Sequence, residues 1–188
     1  MESFDTTGLY TGKDRGKMET YPDGKPVQPF DIKEEDINIE SIAHALSMIC
    51  RFGGHVKLFY SVAEHSVRVA QIVPPAFALA ALLHDAQEAY LGDIIRPIKY
   101  SIRWFEETDK KAQAIIMKRF GINYSEIVSK AVKDADNIVG ATEGRDLMYH
   151  VETWGNLPPF LPDKIVPWTS DLAEWRFKEM FYRYGGIE

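Results

Sequence analysis

A single cysteine, Cys50, is all that the 188 residues contain, so no intrachain disulfide can form and the chain is expected in a reducing cytoplasm. Long hydrophobic runs are missing as well. The longest, about Ala76 to Leu83, is far too short to span a bilayer, and no membrane partner is expected. The start of the chain is polar and acidic, which is unlike a signal peptide. Positive charge is in deficit: the formal net charge of −6 argues against a general nucleic-acid-binding surface. An anionic substrate would then need a bound cation or a few local basic residues. Neither an internal repeat nor a low-complexity tract is visible. What is present, 45% hydrophobic and 12% aromatic residues, suits one globular domain with a substantial core.

Helical periodicity dominates the pattern. Residues 1–35 are rich in Gly, Pro and Lys and read as an arm, with a hairpin or turn over Pro22-Asp23-Gly24. The arm would serve as a lid or oligomer contact, or be loosely held. Residues 36–188 read as the main domain. Its first helix carries Ile39, Ile42, Ala43, Leu46, Ile49 and Cys50 on one face and stops at Gly53-Gly54; His44 and Cys50 on it are read as structural. Ser61-Val62-Ala63-Glu64 is a capping box, and the helix it starts turns Val62, Ser66, Val69, Ala70, Val73 and His65 inward. A further helix is bracketed by Pro74-Pro75 and Gly92, its apolar side ending in His84, Asp85 and Glu88. Helices over about 101–120, 125–149 and 170–184 follow. The first of these carries Glu106–Lys110 and Glu107–Lys111 surface pairs, and the second turns Ile127, Val128, Ala131, Val132, Ala135, Ile138 and Val139 inward. The Pro-rich aromatic stretch 154–168 is too apolar for a free linker and is expected to pack over the bundle. The fold class is all-α: one bundle of about six or seven helices with a short irregular or hairpin N-terminal arm.

Imidazoles and carboxylates on an inward face need a reason, because such groups are rarely buried unless they pair or hold a metal. Adjacent His84 and Asp85 differ by about 100° on a helix and can reach one point off its side. His65, from the preceding antiparallel helix, can reach the same point. Two imidazoles and one carboxylate make an incomplete site for a divalent ion, which wants a fourth protein ligand. Asp134 and Asp136 both border the apolar face of the helix over 125–149, and helical geometry does not choose between them. Lys133, three residues before Asp136, is placed to reach phosphates at such a site. Pro97 and Ile98 offer a rigid apolar wall, and Lys99 lies just beyond the carboxylates.

The ordered set RFGGH (51–55), YSVAEHS (60–66), HDAQEAYLGD (84–93), RPIK (96–99) and KDAD (133–136) resembles the HD-domain metal-dependent phosphohydrolases. It is most similar to their bacterial 5′-deoxynucleotidase branch and the related phage dATP triphosphohydrolases, over about residues 36–146. The resemblance implies that His65, His84, Asp85 and Asp136 bind one divalent ion (Co, Mn, Zn or Mg). Glu88 and Asp93 would be catalytic. Arg51 would lie beside the sugar-phosphate, Phe52 would contact the base with Pro97 opposite, and Lys99 would reach a phosphate. Three cations, Arg51, Lys99 and Lys133, would form a track suited to a triphosphate, with dATP the leading substrate and deoxynucleoside and triphosphate the products. A 5′-deoxynucleotidase acting on a monophosphate uses the same metal site. A non-catalytic nucleotide-binding module is the alternative from another class. A cyclic-dinucleotide phosphodiesterase is disfavoured, since no GYP sequence follows the His-Asp pair. A homo-oligomer, dimer or hexamer, in the cytoplasm of a bacterium or phage-infected host completes the expectation.

Overall fold

The computed structural model describes residues 16–99 and 101–187; the first fifteen residues of the expected arm lie outside the described residues. Two short strands open it, β1 (Met18–Thr20) and β2 (Lys25–Val27), paired antiparallel with Thr20 opposite Lys25. Gly24 closes their turn at φ 71°, a left-handed value that glycine adopts freely. The hairpin is docked, because Val27, Ile32 and Ile37 are buried in the main core and Lys25 pairs with Asp36 at 2.9 Å.

Eight α-helical segments follow among the described residues: α1 (Ile39–Met48), α2 (Val62–Ile72), α3 (Ala78–Leu82), α4 (Glu88–Leu91), α5 (Arg96–Lys99), α6 (Arg103–Arg119), α7 (Glu126–Leu147) and α8 (Ser170–Arg183). The all-α expectation is met, with three short segments added to five longer helices. Side-chain caps set several starts: Asn38 accepts from the Glu40 and Ser41 amides, Ser61 from Glu64, Ser125 from Val128 and Thr169 from Leu172. α2 is the central helix and packs against α1, α3, α7 and α8. Its residues Val62, Ala63, Val67, Val69 and Ala70 are buried nearly all round, as a helix enclosed on several sides requires.

Three local expectations differ from the structure. Helix α1 ends at Met48, so Cys50 leaves it and bridges Ser61 in an extended pair. Glu64 completes only half of the capping box: its amide bonds the Ser61 hydroxyl, but its carboxylate turns to Arg68 at 2.7 Å and to the Trp168 amide at 2.8 Å. Ile127 is 73% exposed in the first turn of α7, left uncovered on that side among the described residues. Lys111 reaches Asp31 at 3.6 Å, across to the 3₁₀ turn Pro29–Asp31 that packs on α6. The 154–168 stretch does pack over the bundle. The Leu161 amide bonds the Thr142 hydroxyl, Ile165 bonds Asp146, and Trp168 lies beneath the Arg68 and Arg176 guanidiniums. No helix among the described residues is long and apolar enough to cross a membrane.

Candidate metal centre

The extended pair between the end of α1 and the start of α2 brings the first two residues of the site together. The Arg51 amide bonds the Tyr60 carbonyl at 2.9 Å and the Val62 amide bonds the Ile49 carbonyl at 3.1 Å, setting Arg51 beside the first turn of α2, which carries His65. Opposite stands the segment expected to be one helix through His84, Asp85 and Glu88. It is broken there: α3 ends at Leu82, and residues 83–88 run with i→i−3 bonds such as Ala86 to Leu83 and Glu88 to Asp85. In such tight turns side chains three apart eclipse, so Asp85 and Glu88 project to the same side.

His65 Nε2 and His84 Nε2 face each other at 3.4 Å. Each ring is anchored at its other nitrogen. His84 Nδ1 donates to the Ala81 carbonyl at 2.7 Å, and His65 Nδ1 donates to the Glu143 carboxylate at 2.6 Å. A carbonyl oxygen and an ionised carboxylate only accept, so both Nδ1 atoms carry the proton and both Nε2 lone pairs can point into one space. Asp136 Oδ1 stands 3.3 Å from His65 Nε2. Asp85 Oδ2 is 3.2 Å from His84 Nε2 and 3.7 Å from His65 Nε2. Donor atoms of His65, His84 and Asp136 all lie within 4.8 Å of one another, and this His-His-Asp cluster could hold a metal ion. Two nitrogen lone pairs aimed at each other, flanked by carboxylates, repel unless a cation stands between them. Mixed imidazole and carboxylate donors fit a divalent transition ion.

The electrostatics point the same way. Burial and the Arg51 charge disfavour a proton on His65, yet Glu143 and Asp136 outweigh them and raise its pKa to about 9. Without an ion the site therefore draws a proton into its middle. Burial would raise Asp85 and Asp136, but the two imidazoles, with Lys133 at Asp136, hold both well below the usual carboxylate range. Glu88 is the opposite case. Burial first, then the Asp85 and Asp93 carboxylates, push it well above the usual value, and its Oε2 has no hydrogen-bond partner among the described residues. Burial and Asp85 also raise Asp93, against the pull of Arg51. One carboxyl that holds its proton more tightly than usual thus stands beside two that release theirs more readily.

The remaining expected residues divide. Arg51 is inside the cluster, 3.1 Å from Glu143 and 3.7 Å from Asp85. Lys133 reaches Asp136 Oδ2 at 2.8 Å, and Arg96 approaches the same oxygen at 3.5 Å. Lys99 pairs with Asp109 at 2.8 Å, on the wall of a cavity of about 650 Å³ that also meets His84, Asp85, Gln87 and Tyr124. Each of the three expected cations thus lies against a carboxylate. Asp134 faces solvent and pairs with Lys130 at 2.6 Å. Pro97 is exposed in α5, and the Phe52 ring lies beside the Trp154 indole and beneath the Arg51 guanidinium.

Sequence reasoning missed Glu143, Asp109 and Trp154. Glu143 is fully buried and ties His65 to Arg51. Its signal was spacing: seven residues beyond Asp136 is two helical turns, hence the same face.

No protein-family model matches the chain. The chain is 47% identical over 116 residues to the uncharacterized protein YfdR of Escherichia coli strain K12, covering 62% of this chain and 64% of that one. It is 35% identical over 136 residues to an uncharacterized Rhodobacter capsulatus protein, covering 66% of this chain and 69% of that one. A 5′-deoxynucleotidase of Vibrio parahaemolyticus is 27% identical over 99 residues, or 52% of this chain and 43% of the enzyme. The chain therefore spans less than two thirds of the length of the E. coli and V. parahaemolyticus proteins.

Proposed function

We propose a function for a chain that belongs to the same family as the Rhodobacter capsulatus protein: it is a metal-dependent phosphohydrolase of the HD class acting on deoxynucleotides. The observation that carries this reading is the convergence of two Nδ1-anchored imidazoles with Asp136 and Asp85 on one space. The activity named for the V. parahaemolyticus relative supports the substrate class.

In this reading His65, His84, Asp85 and Asp136 hold one divalent ion. When bound, the ion supplies Lewis acidity, polarising a phosphoryl oxygen and making a water more acidic. The chain's own groups do the rest. Glu88, whose carboxyl holds its proton more tightly than usual, can deliver it to the ester oxygen as the phosphorus–oxygen bond breaks, while the attacking water's proton leaves to solvent. Asp93 accepts a hydrogen bond from the Phe52 amide and feels the Arg51 charge, so it steadies the loop that carries Phe52. Arg51 offsets the cluster of carboxylates that would otherwise repel a phosphate.

A monophosphate is the first reading of the substrate, because Arg51, Lys99 and Lys133 are each committed to a carboxylate and leave little surplus positive charge for a longer chain. The triphosphate reading keeps one observation in its favour: the cavity beside His84 and Asp85 gathers three cations, Lys99, Lys110 and Lys118, although Asp109, Glu106 and Glu34 pair with them. A panel of deoxynucleoside mono- and triphosphates with Mn²⁺, Co²⁺, Mg²⁺ and Zn²⁺, its products separated by chromatography, tests both. Release of inorganic phosphate from monophosphates is the expected result, and release of triphosphate would hand the case to the second reading. Absence of hydrolysis with every ion, in a protein that binds nucleotides, would leave a binding module.

A further inference from the structure

Phe52 holds a left-handed backbone conformation, φ 58° and ψ 28°, which a residue with a side chain keeps only when its surroundings impose it. The ring fixed in this way lies 5.2 Å from the guanidinium carbon of Arg51 and 5.7 Å, tilted by 42°, from the indole of Trp154. Trp154 stands at the end of the 3₁₀ turn Val151–Trp154 that follows α7. Its seat is Gly144. A Cβ there would meet Trp154 Cζ3 at 3.1 Å and Val151 Cγ2 at 2.5 Å, so only the absence of a side chain lets the turn settle on the helix.

The positions are connected to the site. Gly144 follows Glu143, and Phe52 follows Arg51, and those two charged residues hold each other at 3.1 Å. One ring, Phe52, is thus a chain neighbour of a buried ion pair, and the other, Trp154, is seated on a second neighbour, Gly144. Three contacts lead outward from the cluster: Asp85 to Arg51, Arg51 to the Phe52 ring, and that ring to Trp154. Trp154 is packed on one flank and 39% exposed, so part of the indole at the end of this chain of contacts stays open to solvent.

We propose that Trp154, together with Phe52, is the base-recognition surface of this site, taking an aromatic nucleobase by stacking and favouring a purine. The inference rests on the deoxynucleotide reading for its ligand class and places a wall at Trp154, where Pro97 had been expected. A purine offers the larger face to an indole, and stacking tolerates any base that presents one.

The test is calorimetric titration of the full chain with 2′-deoxyadenosine, 2′-deoxycytidine and the baseless 2-deoxyribose 5-phosphate. The wild type should bind deoxyadenosine more tightly than deoxycytidine. Trp154→Ala should weaken deoxyadenosine binding about tenfold, the loss expected for one base–aromatic stack, while moving the sugar phosphate by less than about twofold. Trp154→Phe keeps a ring and should restore most of the affinity, which separates stacking from damage to the fold. Gly144→Ala unseats the indole without removing it and should behave like Trp154→Ala. Unchanged deoxyadenosine affinity in Trp154→Ala, equal losses for nucleoside and sugar phosphate, or no nucleoside binding by the wild type would each overturn the proposal. Nucleoside binding requires no hydrolysis, so a protein that stacks deoxyadenosine through Trp154 but cleaves nothing would refute the phosphohydrolase reading alone.

Discussion

Replacing Glu143 by Gln removes one negative charge from the most enclosed point of the site while keeping the length of the side chain. In the native protein its two oxygens serve two donors, His65 Nδ1 at 2.6 Å and Arg51 at 3.1 Å. A Gln offers one oxygen and one NH₂, so one of those donors must face another donor. A charge-assisted hydrogen bond contributes about 1.5–3 kcal/mol, and a buried donor left unsatisfied costs a further 1–3 kcal/mol or so. Arg51 keeps Asp85 at 3.7 Å as partial compensation. The expected destabilisation is therefore about 3 kcal/mol, toward the lower end of what breaking a buried pair costs. If the NH₂ turns to His65, that ring must accept at Nδ1 and carry its proton at Nε2, which points at His84 and Asp136. Metal affinity should then fall by about 10–100-fold. The acid arm of the stability curve should change too. Arg51 and His65 overcome burial and hold Glu143 down to about 2 from 4.5. A depressed carboxyl stabilises the fold above its unfolded pKa, and that contribution disappears as pH falls from 4.5 toward 2. Urea unfolding at pH 7 and at successively lower pH, alongside ion titration, measures all three effects. A Glu143→Gln protein with native stability at pH 7 and native ion affinity would refute the reasoning.

Other changes separate the roles within the cluster. Asp136→Ala should abolish ion retention, whereas Asp134→Ala removes only an exposed pair with Lys130 and should cost about 0.5 kcal/mol or less by thermal unfolding; the reverse order of severity would be fatal to the assignment. Glu88→Gln should retain the ion yet lower turnover by about 100-fold or more, and a near-normal rate would make Glu88 structural. Chelation should lower the melting temperature of the wild type by several degrees at saturating ion but leave that of the Asp136→Ala protein unmoved, as read by differential scanning calorimetry.

Much of the fold was legible because its signals are local. The inward face of α2 followed from Val62, Ser66, Val69 and Ala70 at helical spacing, and all four are buried. Hidden features depend on partners far away in sequence. Glu64 looked like the second half of a capping box, but Arg68 and, from 104 residues on, the Trp168 amide claim its carboxylate. Glu143 sits among Ala141, Thr142 and Gly144, a stretch with no strong apolar stripe, and its partner Arg51 lies 92 residues earlier. The break at residues 83–87 carries neither Gly nor Pro, and apolar spacing of three or four residues cannot be told apart over a single turn. Individual site residues could be named from order and type; their state of pairing could not. Lys99 and Lys133 read as available cations until Asp109 and Asp136 were found against them.

The most direct test of the central claim is hydrolysis of a deoxynucleoside monophosphate by chelator-treated protein to which Mn²⁺ or Co²⁺ is returned, with Asp136→Ala measured beside the wild type. The account predicts stoichiometric release of deoxynucleoside and phosphate that needs the added ion, saturates near one ion per chain and is absent in the variant. Hydrolysis that persists without any ion, or that survives Asp136→Ala unchanged, would contradict it.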